Sequence, residues 1–158
     1  MKGNAMQHVR QEVRIEAPVD HVWAVFSDTS NWKDFMPRNT FSDFSGPVDK
    51  VGTTYFTTMR VMGYEAQESM EIVEVEPHKL FHEHCDNGPM DNFFRFEPEG
   101  DATRVTLESD FEVPIRLPGF ARDIVSASMR KGFAEGYTRD VLAGLKALAE
   151  AEVPAGAP

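Results

Sequence analysis

Alternation of apolar and polar residues marks most of the chain before residue 113 as β-strand. In VRQEVRIE, residues 9–16, Val9, Val13 and Ile15 fall on one side and charged residues fall on the other. This period of two is typical of a half-buried strand. Further runs of strand-forming residues, bounded by turn residues, predict strands at 41–44, 53–61, 64–75, 80–85, 90–97 and 103–113. Short strands joined by tight turns predict an antiparallel meander.

Two segments show helical spacing instead. In APVDHVWAVFSDTSNWKDFMP, residues 17–37, Pro18 suits a first helical turn, and residues 28–31 divide the segment into two short helices. From 119 to 151, apolar side chains recur at steps of three and four, which predicts one long amphipathic helix. Three glycines inside it either let another element approach closely or are simply tolerated: Gly132, Gly136 and Gly144.

The order of these elements predicts an α+β fold: a strand, two short helices, a strand meander and one long helix. A sheet with one apolar face needs a cover, and the last helix is the only element long enough to provide it. We expect a single domain over residues 8–151, with flexible ends at 1–7 and 152–158.

Turn lengths decide which side chains share the covered face of the sheet. We expect two-residue turns at 62–63 and 87–88, and four-residue loops at 76–79 and 98–101. The inner face then mixes apolar side chains with a few polar ones: Tyr55, Thr57, Met59, Glu68, Met70, Ile72, Phe81, Glu83, Cys85, Asn92, Phe94, Val105, Leu107, Ser109 and Phe111. The outer face is polar apart from four apolar exceptions, which are Val73, Val75, Leu80 and Phe93.

Charge and composition limit the partners of such a protein. The net charge of −10 disfavours nucleic acid and anionic membranes, because phosphate binding needs clustered Lys and Arg. No run approaches the roughly 18 apolar residues of a membrane span, and the first residues lack the apolar segment of a secretory signal. The single cysteine, Cys85, excludes an intrachain disulfide. We expect a cytoplasmic protein with no nucleic-acid partner and no stable membrane insertion.

Four potential metal ligands stand in a row in the segment LFHEHCDNGP, at residues 82–85. Strand alternation divides them: His82 and His84 face outward with Asp91, while Glu83 and Cys85 face inward. The histidines and Asp91 are the residue types that bind zinc, but a solvated outer face offers no dry second shell. We therefore expect solvated histidines, no metal site and no cofactor.

Glu68 and Glu83 are inward carboxylates in an otherwise apolar setting. A buried carboxylate with a raised pKa can act as a general acid or base, or it can be a structural hydrogen-bond acceptor. Their strand positions are roughly 13 Å apart, because four residues separate them along the sheet. This spacing argues against a hydrolytic carboxylate pair.

The segments VRIEAPVDHVWAVFSDTSNWKDFMP, EIVEVEPHKLFHE and FFRFEPEGDATRVTLESDFEV, followed by the long helix, resemble the START-like (SRPBCC) superfamily. The resemblance covers about residues 8–150 and extends to the polyketide cyclase/dehydrase and lipid-transport proteins. It implies the helix-grip fold, in which a curved seven-stranded antiparallel sheet wraps around the C-terminal helix and encloses an apolar cavity. Members bind or process lipids, sterols, polyketides, quinones and plant hormones, and the resemblance implies no particular catalytic residue.

We expect binding of a small hydrophobic molecule, such as a lipid, polyketide or quinone, between the sheet and the C-terminal helix. Its polar end would be oriented by Thr57, Glu68, Glu83 and Asn92, and its body held by Tyr55, Met59, Met70, Phe94, Met129 and Phe133. The alternative is a cyclase or dehydratase in which Glu68 or Glu83 moves protons on a carbonyl compound. A third hypothesis is an interaction module that uses the apolar outer-face residues, and the protein is expected to be a monomer or homodimer.

Overall fold

The structure, a computed structural model, describes residues 6–61, 64–86, 89–112, 118–121, 124, 128, 131 and 134–152. Its elements run in the order β1 (Met6–Ile15), α1 (Val19–Ser27), a 3₁₀ turn (Thr29–Asn31), α2 (Trp32–Phe35), β2 (Asn39–Ser42), β3 (Thr54–Val61), β4 (Tyr64–Glu76), β5 (Leu80–Cys85), β6 (Met90–Glu99), β7 (Ala102–Glu112) and α3 (Glu135–Ala151).

The strands form one seven-stranded antiparallel sheet in the order β1-β7-β6-β5-β4-β3-β2. Consecutive strands pair as a meander, and β1 joins beside β7, which leaves β1 and β2 at the two edges. The sheet curls around α3, which packs against β1, α1 and α2 and buries Val141, Leu142 and Leu145. The predicted α+β helix-grip fold is confirmed.

The register of the central strands confirms most of the predicted pairing. Val61 lies opposite Tyr64, and Ile72 lies opposite Glu83. The four-residue loop predicted at 76–79, which would place Val75 opposite Leu80, is wrong. In the structure Leu80 pairs with Glu76 across a three-residue turn, and a bulge between Ile72 and Glu74 restores the expected register beyond it.

The bulge changes the face on which Val75 lies. It pairs with the buried Phe81 and packs against the core, so its assignment to the outer face is wrong. A bulge adds one residue to a strand and therefore reverses the inward and outward pattern beyond it.

On the outer face, the Phe93 ring stacks on the His82 ring with centroids 4.0 Å apart, and the Arg95 guanidinium lies 5.1 Å from the centre of the Phe93 ring. Phe93, one of the four residues on which the interaction-module hypothesis relied, is thus half-buried by its own neighbours.

The turn between β6 and β7 is shorter than predicted. Glu99 pairs with Ala102, so the turn has two residues, and Gly100 adopts the left-handed backbone that such a turn requires. Each residue of β6 therefore pairs two positions farther along β7 than predicted, and this even shift leaves the parity unchanged. Asn92 still shares the inner face with its partner Ser109.

An aromatic core fills the inner face beside α1 and α2. The ring of Phe26 lies 4.8 Å from that of Phe94 and 5.0 Å from that of Phe81, and Trp32 lies 5.4 Å from Tyr55. The Trp32 indole N–H donates to the Phe26 carbonyl oxygen over 2.7 Å, so its polar atom is satisfied. Each such ring contributes about 1.5–3 kcal/mol on burial, which fixes the short helices on the sheet.

The long C-terminal helix was predicted over residues 119–151. Its last part is α3, and the positions described before it are helical as well, with π-helical geometry at 131 and 134. At Gly144, a Cβ atom would lie 3.0 Å from the Cα of Phe35, so this glycine permits close contact with α2. Gly136 meets no such barrier, and Gly132 lies outside the described residues. Within the described part of the chain, no helix is long and apolar enough to cross a membrane.

Candidate functional site

Polar side chains gather on the inner face of the sheet, beside the aromatic core. We call them the inner polar cluster. Six come from the central strands and β7, one from β2 and one from α3: Tyr55, Thr57, Glu68, Glu83, Asn92, Ser109, Asn39 and Tyr137. Cross-strand pairing explains most of this placement, because Thr57 lies opposite Glu68 and Asn92 lies between Glu83 and Ser109.

Glu83 is the most deeply buried acid of the cluster, with 7% of its surface exposed. The Tyr55 hydroxyl donates to one carboxylate oxygen, and the Asn92 amide donates to the other over 3.0 Å. Asn92 is itself held by the Ser109 hydroxyl, which donates to its amide oxygen over 2.6 Å. Burial raises the pKa of Glu83, although the hydrogen bonds from Tyr55 and Asn92 act in the opposite direction. Glu83 is thus a hydrogen-bonded acceptor whose position is fixed by neighbouring strands.

A second chain of hydrogen bonds joins α3 to the edge of the sheet. The Tyr137 hydroxyl donates to the Asn39 amide oxygen over 2.5 Å, and the Asn39 amide donates to the Thr57 hydroxyl over 3.1 Å. Burial, followed by the charges of Glu83 and Glu68, raises the pKa of Tyr137. Tyr137 therefore remains a protonated donor that fixes the start of α3 relative to β2 and β3.

Glu68 is the exception in this network. It is partly buried on β4, and none of the described residues forms a hydrogen bond or ion pair with its carboxylate. Burial, and then the charge of Glu83, raise the pKa of Glu68 from 4.5 to about 7. Although four residues separate the two acids along the sheet, their charges interact. Glu68 therefore changes between its neutral and ionised forms near neutral pH.

The predicted apolar contacts have different surroundings. Met70 and Phe94 are buried in the core, with 1% and 5% of their surfaces exposed, while Met59 on β3 is only partly buried. Tyr55 has its ring in the aromatic core and its hydroxyl in the inner polar cluster. Met129 and Phe133 lie outside the described residues. These placements leave the predicted roles in ligand binding as predictions.

The cavity is predicted between the sheet and the C-terminal helix, and much of the chain from 113 to 133, including Met129 and Phe133, lies outside the described residues. A surface hollow of about 350 Å³ lies elsewhere, lined by residues at 79–80 and 95–98. Its lining includes neither α3 nor the inner polar cluster, and it carries none of the inward acids. We therefore place the candidate site at the cluster, where the acids are coupled, and not at this hollow.

Three residues of the cluster are absent from the site that the sequence predicts. Ser109 is predicted to face inward, but its contact with Asn92 depends on the length of the β6–β7 turn. Tyr137 has helical spacing with the apolar face of the long helix, and only its hydroxyl distinguishes it from a core residue. Asn39 begins a four-residue edge strand directly after a turn, a position at which sequence alternation gives almost no signal.

The histidines of the row at 82–85 face outward as predicted, while Glu83 and Cys85 are buried on the inner face. His82 Nε2 and His84 Nδ1 lie 2.7 and 3.0 Å from the same oxygen of Asp91, and His84 Nε2 lies 2.8 Å from Asp86. Among the residues that the structure describes, no three His, Cys, Asp or Glu side chains are arranged to hold a metal ion. The outer histidines instead form hydrogen bonds with aspartates.

Three solved structures with the same fold are distant from this chain in sequence. The Zhui aromatase/cyclase from Streptomyces sp. R1128 superposes with a TM-score of 0.76 at 19% identity, covering 96% of this chain and 98% of that one. Norcoclaurine synthase from Thalictrum flavum, in complex with dopamine and hydroxybenzaldehyde, gives 0.71 at 13% identity, covering 96% and 90%. The protein TTHA0849 from Thermus thermophilus gives 0.72 at 21% identity, covering 92% and 98%. At these identities the likeness shows the fold alone.

No curated protein sequence matches the chain. A family model does match, over residues 6–150, and its description is polyketide cyclase/dehydrase and lipid transport. That range runs from the first residue of β1 to the last turn of α3, so it includes every element that contributes to the inner polar cluster. The chain therefore belongs to the polyketide cyclase/dehydrase and lipid transport family, as its resemblance to START-like proteins indicates.

Proposed function

We propose that the protein binds a small, largely hydrophobic molecule between the sheet and the C-terminal helix, with the polar end of that molecule at the inner polar cluster. The observation that carries this proposal is the contrast between two inward acids. Glu83 accepts two hydrogen bonds, whereas Glu68 accepts none from the described residues. An unpaired buried polar group costs about 1–3 kcal/mol, so a bound molecule that donates a hydrogen bond to Glu68 recovers stability that the protein alone lacks.

The network around Glu83 supports this role by keeping the floor of the site rigid. Because Tyr55, Asn92 and Ser109 are already bonded to one another or to Glu83, binding requires little further ordering of these side chains. Thr57, Glu68, Glu83 and Asn92 would contact the polar end. The apolar body would lie against the remaining predicted contacts, which are Tyr55, Met59, Met70, Phe94, Met129 and Phe133.

The family supports ligand binding or cyclase activity as the general class of function. One structural neighbour, norcoclaurine synthase, is complexed with dopamine and hydroxybenzaldehyde, so this fold accommodates small aromatic molecules in that protein.

Native mass spectrometry of protein purified from its own host tests the proposal. We expect a bound small molecule that is reduced or lost in Glu68→Gln and retained in Glu71→Gln. Glu71 is the matched control, because it lies exposed on the outer face of the same strand and its substitution removes the same charge. Wild-type protein that carries no small molecule and binds no added apolar probe at micromolar concentration would contradict the proposal.

A second candidate function is a cyclase or dehydratase reaction on a carbonyl compound. The pKa of about 7 at Glu68 favours it, since a general acid or base works best with a pKa near the operating pH. Once a bound carbonyl compound is identified, its turnover should fall about 100-fold or more in Glu68→Gln and should follow a single ionisation near neutral pH in the wild type. Undiminished turnover in this variant would exclude Glu68 as the proton-transfer group.

A further inference from the structure

The inner polar cluster is acidic. It contains the carboxyl groups of Glu68 and Glu83, and its other members are hydroxyls and amides. The two acids share a covered face, and each additional negative charge there is opposed by the charges already present. Within the described residues, no lysine or arginine side chain forms an ion pair with either acid, although these residues pair with acids at many places on the surface.

We propose that the ligand carries an amine at its polar end and that Glu68 is the counter-ion of the resulting ammonium group. This inference rests on the proposed function, because it concerns the same site. An ammonium group donates up to three hydrogen bonds and accepts none, which complements a carboxylate that accepts no hydrogen bond from any residue the structure describes. Glu83, which already accepts hydrogen bonds from Tyr55 and Asn92, contributes its charge to the attraction.

The surroundings of Glu68 support a cation over an anion. Across the sheet it faces the neutral Thr57, along the inner face it faces Glu83, and from α3 the Tyr137 hydroxyl approaches. Among the described residues, two basic side chains act on the cluster from its periphery. Arg38, which is exposed before β2, opposes the rise in the pKa of Tyr137, and His82, on the outer face, opposes the rise in the pKa of Glu83.

The positions of these two bases limit what they can do for a ligand. A ligand carboxylate at Glu68 would be repelled by Glu68 at contact and by Glu83 from farther along the sheet, while these bases would act only from the edge or through the sheet. An ammonium group at the same position would be attracted by both acids. The geometry therefore favours an amine over the matching acid, with the neutral alcohol between them.

Three fluorescent probes that differ only in their polar end test this inference: naphthylethylamine, naphthylethanol and naphthylacetate. Dissociation constants are measured by fluorescence titration or calorimetry on the wild-type protein at about pH 8 and about pH 6. We expect the amine to bind about tenfold more tightly than the alcohol at the higher pH, and the acid to bind most weakly. The amine should lose most of this advantage at the lower pH, because Glu68 is then protonated while an aliphatic amine keeps its proton.

Glu68→Gln should bring the ratio of amine to alcohol affinity close to one and remove its pH dependence. The matched variant Glu71→Gln should keep both, which separates a local ion pair from the general attraction of a protein with a net charge of −10. If the alcohol binds and the amine binds no more tightly at the higher pH, the inference is wrong while the proposed function stands. If none of the three probes binds, the proposed function itself is contradicted.

Discussion

Replacing Glu68 with glutamine should stabilise the ligand-free protein, and the gain should grow with pH. The folded protein binds the Glu68 proton more tightly than the unfolded chain does, because folding raises the pKa of this carboxyl from 4.5 to about 7. Such a group contributes stability below its unfolded pKa, and this contribution is lost as the pH rises through the folded pKa. Above this window, the wild type must keep an ionised carboxylate partly buried, and the amide variant need not.

The size of the effect follows from the pKa shift. A rise from 4.5 to about 7 corresponds to an upper bound of about 3 kcal/mol, at about 1.36 kcal/mol for each pKa unit. Because Glu68 is only partly buried, solvent and side-chain movement reduce this figure, and we expect about 1–2 kcal/mol at about pH 8. At about pH 4 both states hold the proton, so the variant and the wild type should have nearly equal free energies of unfolding.

Urea denaturation measured by tryptophan fluorescence at several pH values provides the assay, with protein refolded from urea so that any co-purified molecule has been removed. The difference in free energy of unfolding between Glu68→Gln and wild type should rise from the unfolded pKa of 4.5 to the folded pKa of about 7 and then level off. Glu71→Gln, which removes an exposed acid from the same strand, should show no such rise. A difference that stays constant with pH, or a variant that is less stable at about pH 8, would refute the reasoning.

Three further predictions concern other parts of the fold. Gly144→Ala should lower the free energy of unfolding by about 1–2 kcal/mol, because the new Cβ would lie 3.0 Å from the backbone of α2. Gly136→Ala should raise it by up to about 1 kcal/mol, because the nearest contact of its Cβ is at 3.7 Å and alanine favours the helix. Equal effects of the two substitutions in urea titrations would contradict this account. Burial lowers the pKa of His84, but the hydrogen bonds and charges of Asp86 and Asp91 outweigh it and raise this pKa above 6.5. Asp91→Asn should therefore lower the pKa of His84 measured by NMR, and an unchanged midpoint would contradict this account. Ser109→Ala removes a buried hydrogen bond and should destabilise the protein by about 1 kcal/mol, so a variant of wild-type stability would show that this bond contributes nothing.

Hydrophobic periodicity predicts the element order of this chain well, because each strand and helix has a regular pattern over several residues. Local irregularities escape it. The bulge at Val73 lies in the run Ile72-Val73-Glu74-Val75, where two adjacent apolar residues fit either face. Sequence alternation carries no information about the extra residue, so it assigns Val75 to the wrong face. The turn between β4 and β5 is one residue shorter than predicted, which cancels the extra residue of the bulge, so the pairing of Ile72 with Glu83 is predicted correctly.

For the candidate site, the sequence predicts only the face of the sheet on which each side chain lies. Strand parity places Glu68 and Glu83 inward, but it does not show that one is hydrogen-bonded on both oxygens and the other is not. That difference depends on Asn92 and Tyr55, which belong to other strands, and therefore on several turn lengths at once. Contacts that join distant elements, such as Tyr137 with Asn39, depend on how the helix crosses the sheet, which no local pattern specifies.

The stability of the ligand-free protein and the choice of ligand depend on the same group, which links two measurements that are otherwise independent. If ionised Glu68 destabilises the protein because it lacks a partner, then supplying a cation should recover part of that free energy on binding. The stability gain of Glu68→Gln and the preference of the wild type for the amine probe should then both stop growing with pH at the same point, near the pKa of about 7. Curves that level off at two different pH values would mean that separate groups govern stability and ligand preference, and Glu68 would keep only the first role.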